Sequence, residues 1–171
     1  RMRIIAGKWR GRKISAPPGH VVRPTGDRVR ESWMSILHPQ LPDARVVDLC
    51  AGSGALGLEA LSRGAASCDF VEMARPVLSV LQANIELLHA AECATIHRTS
   101  AEQFVAALPA GVYDVAFADP PYNTETARQL AECWLKVPFA HVLGIEHSAS
   151  VHLPGGADRR RYGITAITFF R

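Results

Sequence analysis

From residue 45 onward the chain alternates short apolar stretches rich in β-branched residues with longer stretches of helical spacing, and that alternation admits few folds. A strand, a crossover helix and a second strand pair the strands in parallel and lay helices against both faces of the sheet. Expected strands run over 45–50, 67–72, 93–98, 112–118 and 139–146, with helices over 54–63, 76–89, 101–108 and 125–136. Pro154-Gly155-Gly156 interrupts the pattern, and 159–162 with 164–170 predicts a closing antiparallel pair. The expectation is an α/β domain with a mainly parallel, seven-stranded sheet covered by helices on both faces. Ligands of such sheets bind beyond the carboxyl ends of the strands.

The segment ahead of this pattern is different in kind. Residues 1–30 carry nine Lys or Arg against one acid, while the other 141 carry ten against fifteen. A basic arm on an acidic body predicts a grip on a polyanion, and arginine forks onto phosphate. Ile4, Ile5, Trp9 and Ile14 interleave with the charges, and Gly7 and Gly11 supply turns, so the arm is expected to form a small β-hairpin rather than a solvated tail. Asp27 is expected to cap a helix running to about 38, with Val29, Trp33, Ile36 and Leu37 on one face and Pro39 and Pro42 beyond its end.

Several classes are excluded or disfavoured. With 48% hydrophobic and 20% charged residues the chain is not disordered. No apolar run approaches the roughly 18 residues of a membrane span, and the N-terminal stretch is too short for a signal peptide, so a cytoplasmic protein without membrane contact is expected. Cys50, Cys68, Cys93 and Cys133 form no CxxC pair, and the seven histidines show no HxxxH or HExxH spacing. Free thiols and no bound metal are expected. No seam for an oligomer is visible, which predicts a monomer.

The first strand of the alternation ends in Asp48 and runs into Gly52-Ser53-Gly54-Ala55-Leu56-Gly57. Three glycines at GxGxxG spacing fit a dinucleotide site, an S-adenosylmethionine (AdoMet) site or merely a tight strand-to-helix turn. Asp48 decides against the first, because a carboxylate four residues before Gly52 repels a pyrophosphate. It suits the ammonium and sulfonium of AdoMet. Glu72 closes the second strand, where an acid can accept both ribose hydroxyls of an adenosine; NAD and AdoMet sites share that feature.

The most informative segment follows the fourth strand. Val115-Ala116-Phe117-Ala118 leads into Asp119-Pro120-Pro121-Tyr122 at the carboxyl edge of the sheet, beside the glycine loop. Consecutive prolines fix the backbone and withhold two amide donors, leaving carbonyls to face a ligand. One reading is a proline strand exit capped by Asp119. The other is a clamp on a planar amine: Asp119 accepts one N–H, the Pro120 carbonyl accepts the second, and Tyr122 stacks on the ring. An exocyclic base amine is a poor nucleophile because its lone pair is conjugated. Two acceptors redirect that pair, and the Asp119 charge stabilises the cation that develops on nitrogen.

The order of glycine loop, strand-end acid and DPPY resembles the class I AdoMet-dependent amino-methyltransferases. The N-terminal residues Arg3-Ile4-Ile5-Ala6-Gly7-Lys8, Gly11-Arg12, Arg23-Pro24-Thr25 and Asp27-Arg28-Val29-Arg30-Glu31, with Gly64-Ala65, Asn84 and Tyr162-Gly163, are similar to the RsmD family of bacterial 16S ribosomal RNA guanine-N2-methyltransferases. The resemblance implies a Rossmann-like methyltransferase domain over 26–171 behind a basic hairpin arm over 1–25. It implies AdoMet as cofactor, with Asp48, Gly52 and Gly54 at its methionine end, Glu72 at its ribose and Ser100-Ala101 beside its adenine. Relatives commonly carry Asp where this chain has Ser100, so a backbone carbonyl or the Ser100 hydroxyl is expected to take that contact. Asp119, Pro120, Pro121 and Tyr122 would hold the guanine, with Asp119 also bordering the cofactor. Arg3, Lys8, Arg10, Arg12, Lys13, Arg23 and Arg28 are the expected RNA contacts, and an ion pair of Arg28 or Arg30 with a nearby acid is the alternative for that segment. The implied partner is 16S rRNA in the small ribosomal subunit or its assembly intermediate. A DNA adenine-N6 methyltransferase and a non-catalytic RNA-binding assembly factor are the competing functions. The intact Asp48, Glu72 and Asp119 set argues against the second, and the short stretch before the glycine loop leaves little room for a DNA-reading domain.

Overall fold

The computed structural model describes residues 2–17, 24–120, 124–156 and 158–171. The arm forms a two-stranded antiparallel sheet, β1 (Met2–Arg3) with β2 (Lys13–Ile14). Helix α1 (Pro24–Leu37) follows, then a 3-10 turn over His38–Gln40. The alternating region gives β3 (Arg45–Asp48), α2 (Ala55–Ser62), β4 (Ser67–Val71), α3 (Arg75–Leu87), β5 (Ala94–His97), α4 (Ala101–Ala106), β6 (Tyr113–Ala118), α5 (Thr124–Lys136) and β7 (Ala140–Ser148). The closing pair is β8 (Asp158–Tyr162) and β9 (Thr165–Phe170). The strands form one seven-stranded sheet in the order β5-β4-β3-β6-β7-β9-β8. β3 to β7 run parallel, and β9 is antiparallel to both β7 and β8.

This order reverses direction between β3 and β6. The chain winds outward through β4 and β5, then returns to the other side of β3. Such a reversal opens a crevice at the carboxyl ends of the two central strands. Asp48 ends β3, and Asp119 directly follows β6.

The period-2 pattern of the strands distributes the core over both faces. Val46, Phe70, Val115, Phe117, Ile167 and Phe169 pack beneath α1, α2 and α3. Val47, Val71, Ala116, Ala118, Leu143 and Ile145 pack beneath α4 and α5. Trp33 of α1, 1% exposed, meets Phe117 edge-on with ring centroids 5.6 Å apart. Only glycine fits beneath it at Gly144, where an added Cβ would lie 2.6 Å from the Trp33 indole nitrogen.

Most boundaries fall within one or two residues of the sequence expectation, and three of the differences have a local physical reason. Helix α1 begins at Pro24 rather than at an Asp27 cap. Proline at a first helical position loses no intrahelical bond, and Asp27 then sits in the first turn, where the helix dipole favours an acid. β3 stops at Asp48, two residues early, because the chain turns into the glycine loop there. β7 reaches Ser148, two residues beyond expectation, because Ser148 pairs with Thr165 of the antiparallel β9.

The arm is integral to the body. Ile4 and Ile14 are each 1% exposed and lie in the same core as α1, α2 and α3. Glu59 of α2 is fully buried and accepts the Ile5 amide at 2.8 Å, the Ala6 amide at 3.0 Å and Arg63 Nε at 3.0 Å. The Ser62 hydroxyl donates to the Ala6 carbonyl at 2.6 Å and accepts the Trp9 amide at 3.0 Å. Gly7, with φ +89°, lies so close to this helix that an added Cβ would overlap the Ser62 carbonyl oxygen.

Candidate active site

The loop after β3 is held from both sides. The Leu49 amide donates to the Phe117 carbonyl of β6 at 2.8 Å, and the Ala51 amide to the Val71 carbonyl of β4 at 3.0 Å. Gly52 and Gly54 then take φ of +55° and +87°, the left-handed region where glycine is unstrained. An added Cβ at Gly52 would point into open space, which leaves the loop backbone approachable. Gly54 stands at the N-terminus of α2 and is hemmed in by Leu81. Gly57 is small for a packing reason, since an added Cβ would lie 2.4 Å from the Phe70 ring.

Asp48 lies beneath this loop and is 1% exposed. Its Oδ2 accepts the Gly57 amide at 3.0 Å, while Oδ1 is buried with no hydrogen-bond partner. Burial raises its pKa to about 7, and the charges of Asp119 and Glu72 add to the rise against the Gly57 bond. Glu72 holds the loop from the other side: Oε1 accepts the Gly52 amide at 2.9 Å, and Oε2 accepts the Met73 and Ala74 amides at 2.9 and 3.0 Å. Burial pushes the Cys50 thiol far up, with the Asp48 and Asp119 charges adding, so it stays protonated and is no nucleophile.

Three carboxyl groups thus converge on a glycine loop at a sheet switch point. Concentrated negative potential and a partnerless buried oxygen suit a cationic ligand and oppose a phosphate. The residues therefore fit AdoMet, with its ammonium and sulfonium. Ser100 caps α4, its hydroxyl accepting the Gln103 amide at 3.1 Å, with Ala101 buried behind it. The hydroxyl proton remains available to a ligand acceptor.

Asp119 is half-buried and Pro120 buried beyond β6. Pro121, Tyr122 and Arg23 lie outside the described residues. Arg3, Lys8, Arg10, Arg12 and Lys13 are all exposed on the arm, and Arg28 is exposed on α1. Arg12 also donates to the Leu87 carbonyl at the end of α3. Arg30 turns inward, bonding the Arg3 carbonyl at 2.7 Å with Asp27 3.9 Å away; Arg28 joins no ion pair among the described residues. The four cysteines are free, with Cys68 buried and the others half-buried. Among the described residues no cluster of three or more potential metal ligands occurs, and no helix is long and apolar enough to cross a membrane.

One residue near the site, and the role of a second, escaped the sequence reading. Met73, 55% exposed, offers a polarizable thioether one position beyond the acid that binds the Gly52 amide. An apolar residue directly after a strand-end acid was the available signal. Asn84, 1% exposed on α3, ties the glycine loop to the arm, and no local pattern announces that role.

The doubly wound sheet and the acid-flanked glycine loop define a Rossmann-like, class I methyltransferase domain. A family model described as "Conserved hypothetical protein 95" matches residues 2–171, and the chain belongs to that family, the RsmD family. The chain is 43% identical over 122 residues to "Ribosomal RNA small subunit methyltransferase D" of Escherichia coli K12, a match covering 71% of this chain and 61% of that relative. It is 32% identical to Bacillus subtilis YlbH over 99% of its own length and 98% of YlbH. The solved Escherichia coli protein yhhF superposes with a TM-score of 0.85 at 33% identity, covering 98% of this chain and 96% of that one.

Proposed function

We propose that this protein methylates the exocyclic N2 amine of a guanine in 16S rRNA of the small ribosomal subunit, acting in the cytoplasm as a monomer. The observation that carries the proposal is the position of Asp119. It is a half-buried acid directly after β6, next to the strand whose glycine loop gathers Asp48 and Glu72. A base amine held there lies over the switch-point crevice. The small-subunit rRNA substrate is supported by the name of the Escherichia coli relative, and N2 of guanine by the family resemblance.

In this reading Asp48, Gly52 and Gly54 hold the amino-acid end of AdoMet, Glu72 its ribose, and Ser100, Ala101 and Met73 its adenine. AdoMet supplies a sulfonium-activated methyl carbon, with the breaking bond's electrons returning to sulfur. The chain's own work is alignment and charge stabilisation. Asp119 accepts one hydrogen of the amine and the Pro120 carbonyl the other, turning the nitrogen lone pair toward the methyl carbon. Tyr122 stacks on the base plane. As the N–C bond forms, nitrogen becomes cationic and Asp119 stabilises it; the surplus proton then leaves through Asp119 to water. The exposed cations of the arm, with Arg23 and Arg28, hold the RNA backbone.

Labelled methyl transfer to small subunits from cells lacking the enzyme, followed by digestion to nucleosides, tests this. N2-methylguanosine is the expected product. N6-methyladenosine formed when DNA is offered in place of the subunits would assign the DNA reading, and binding to the subunits without label the assembly-factor reading.

A further inference from the structure

Among the described residues, the large apolar side chain most exposed to solvent sits on a braced tip at the carboxyl edge of the sheet. Ile164 is 80% exposed, against 55% for Met73 and less for every other exposed large apolar side chain among the described residues. It occupies the two-residue turn between β8 and β9, after Gly163 with φ +65°. Such turns favour polar residues beside the glycine, and a β-branched side chain projecting into water gains nothing for folding.

The tip is held rigid. The Ile164 carbonyl accepts the Ala149 amide at 2.8 Å, and Arg161 Nε donates to the Gly163 carbonyl at 2.9 Å. Tyr162 shares a 2.6 Å hydrogen bond with Ser32 of α1. The pairing of Thr165 with Ser148 places the turn at the carboxyl end of β7, on the same edge of the sheet as Asp119. β9 lies two strands from β6, and the pairing of Ala118 with Ile145 and of Ser148 with Thr165 sets the tip three residues beyond the level of Asp119, so strand spacing and rise put it on the order of 15 Å from Asp119. Cations flank it. Arg161 is exposed on the hairpin, and Arg28 lies one turn before Ser32 on the α1 face that meets Tyr162.

A rigid apolar point between cations, near a site that needs its base unstacked, matches the chemistry of a wedge. We infer that Ile164 packs against a base flanking the extruded guanine and fills the stacking space that the guanine leaves, while Arg28 and Arg161 hold the adjoining phosphates; this rests on the RNA-methylation reading above. The partner is RNA rather than protein because the flanking groups are arginines, which pair with phosphate.

Full-length protein and small subunits from cells lacking the enzyme suffice for the test. Ile164→Ala should lower kcat/KM for subunits by about tenfold, with AdoMet affinity and unfolding midpoint unchanged, and Ile164→Leu should recover most of the loss. A photocrosslinking residue, Ile164→p-benzoylphenylalanine, should attach to rRNA next to the modified nucleotide. Crosslinking to a ribosomal protein, absence of any crosslink, or full activity of Ile164→Ala would overturn the inference. Crosslinking reports contact whether or not a methyl group is transferred. Failure of the methylation reading appears separately, as wild-type protein that leaves the subunits unlabelled.

Discussion

Asn84 on α3 donates to the Ser53 carbonyl of the glycine loop at 2.8 Å, and the same amide nitrogen donates to the Ser15 carbonyl of the arm at 2.9 Å. Its Oδ1 accepts the Ser15 amide at 2.9 Å, so one buried side chain joins the segment expected to grip RNA to the segment expected to hold the cofactor. Asn84→Ala leaves the buried Ser53 carbonyl without this partner and frees the Ser15 amide and carbonyl at the arm's edge. The expected loss of stability is about 1–3 kcal/mol, read by denaturant unfolding. Added AdoMet should recover less stability in the variant than in wild type, because the loop has lost its support. Equal thermal shifts on AdoMet addition would show that the bond is only structural.

The buried Asp48 carboxyl makes a second prediction, about pH. Its folded pKa of about 7 stands above the ordinary 3.8. Between these values the folded protein keeps a proton that the unfolded chain has lost, so the contribution of Asp48 is full below about pH 4 and is lost as pH rises through 7. His147 acts oppositely, since burial lowers its pKa and its contribution grows with pH. The informative quantity is therefore the difference from Asp48→Asn, which retains an oxygen for the Gly57 amide. That variant should be more stable than wild type at pH 8, by a few kcal/mol, with the advantage shrinking toward pH 5. It should also bind AdoMet more weakly at pH 8, because the counter-charge is gone. Calorimetry with unchanged affinity would remove Asp48 from the cofactor site.

Much of this was legible because periodicity reports burial. The alternating runs located every strand of the main sheet, and Asp48, Glu72 and Asp119 stood out as acids at strand ends. Periodicity does not report which backbone groups a side chain will reach. Asp48 reads as a strand-end counter-ion for a cationic ligand, yet it is also tied under α2 by the Gly57 amide. Glu72 reads as a ribose acceptor, yet it also fastens Gly52 and the turn into α3. Glu59 and Asn84 lie 53 to 69 residues from the arm groups they bind, and no local window contains both partners.

Burial of the arm changes how its charges are to be tested. Deleting residues 2–14 removes Ile4 and Ile14 from the core and the partners of Glu59, so loss of RNA binding would follow from unfolding alone. Lys8, Arg10 and Lys13 are exposed, and neutralising all three as Lys8→Gln, Arg10→Gln and Lys13→Gln leaves the packing intact. Each phosphate contact removed should reduce the slope of log affinity against log salt by about 0.7–0.9. The triple variant should therefore lose about two units of slope, with its unfolding midpoint unchanged. An unaltered slope would mean that the RNA lies on another face.

Asp119 separates binding from chemistry most sharply. Asp119→Asn retains an oxygen that can accept one hydrogen of the base amine but carries no charge to meet the cation forming on nitrogen. Asp119→Ala retains neither. Loss of one preorganised electrostatic group in a water-poor site costs about 100–1,000-fold in turnover, so both variants should fall that far or further, with Ala the slower. AdoMet affinity should change little in Asp119→Asn and should rise in neither, since the cofactor's positive charge also gains from the acid. Single-turnover methyl transfer with saturating AdoMet and small subunits is the measurement that isolates the chemical step. Wild-type rates in a folded, AdoMet-saturated Asp119→Ala protein would mean that the base amine is held elsewhere, and that the acid after β6 serves the loop rather than the reaction.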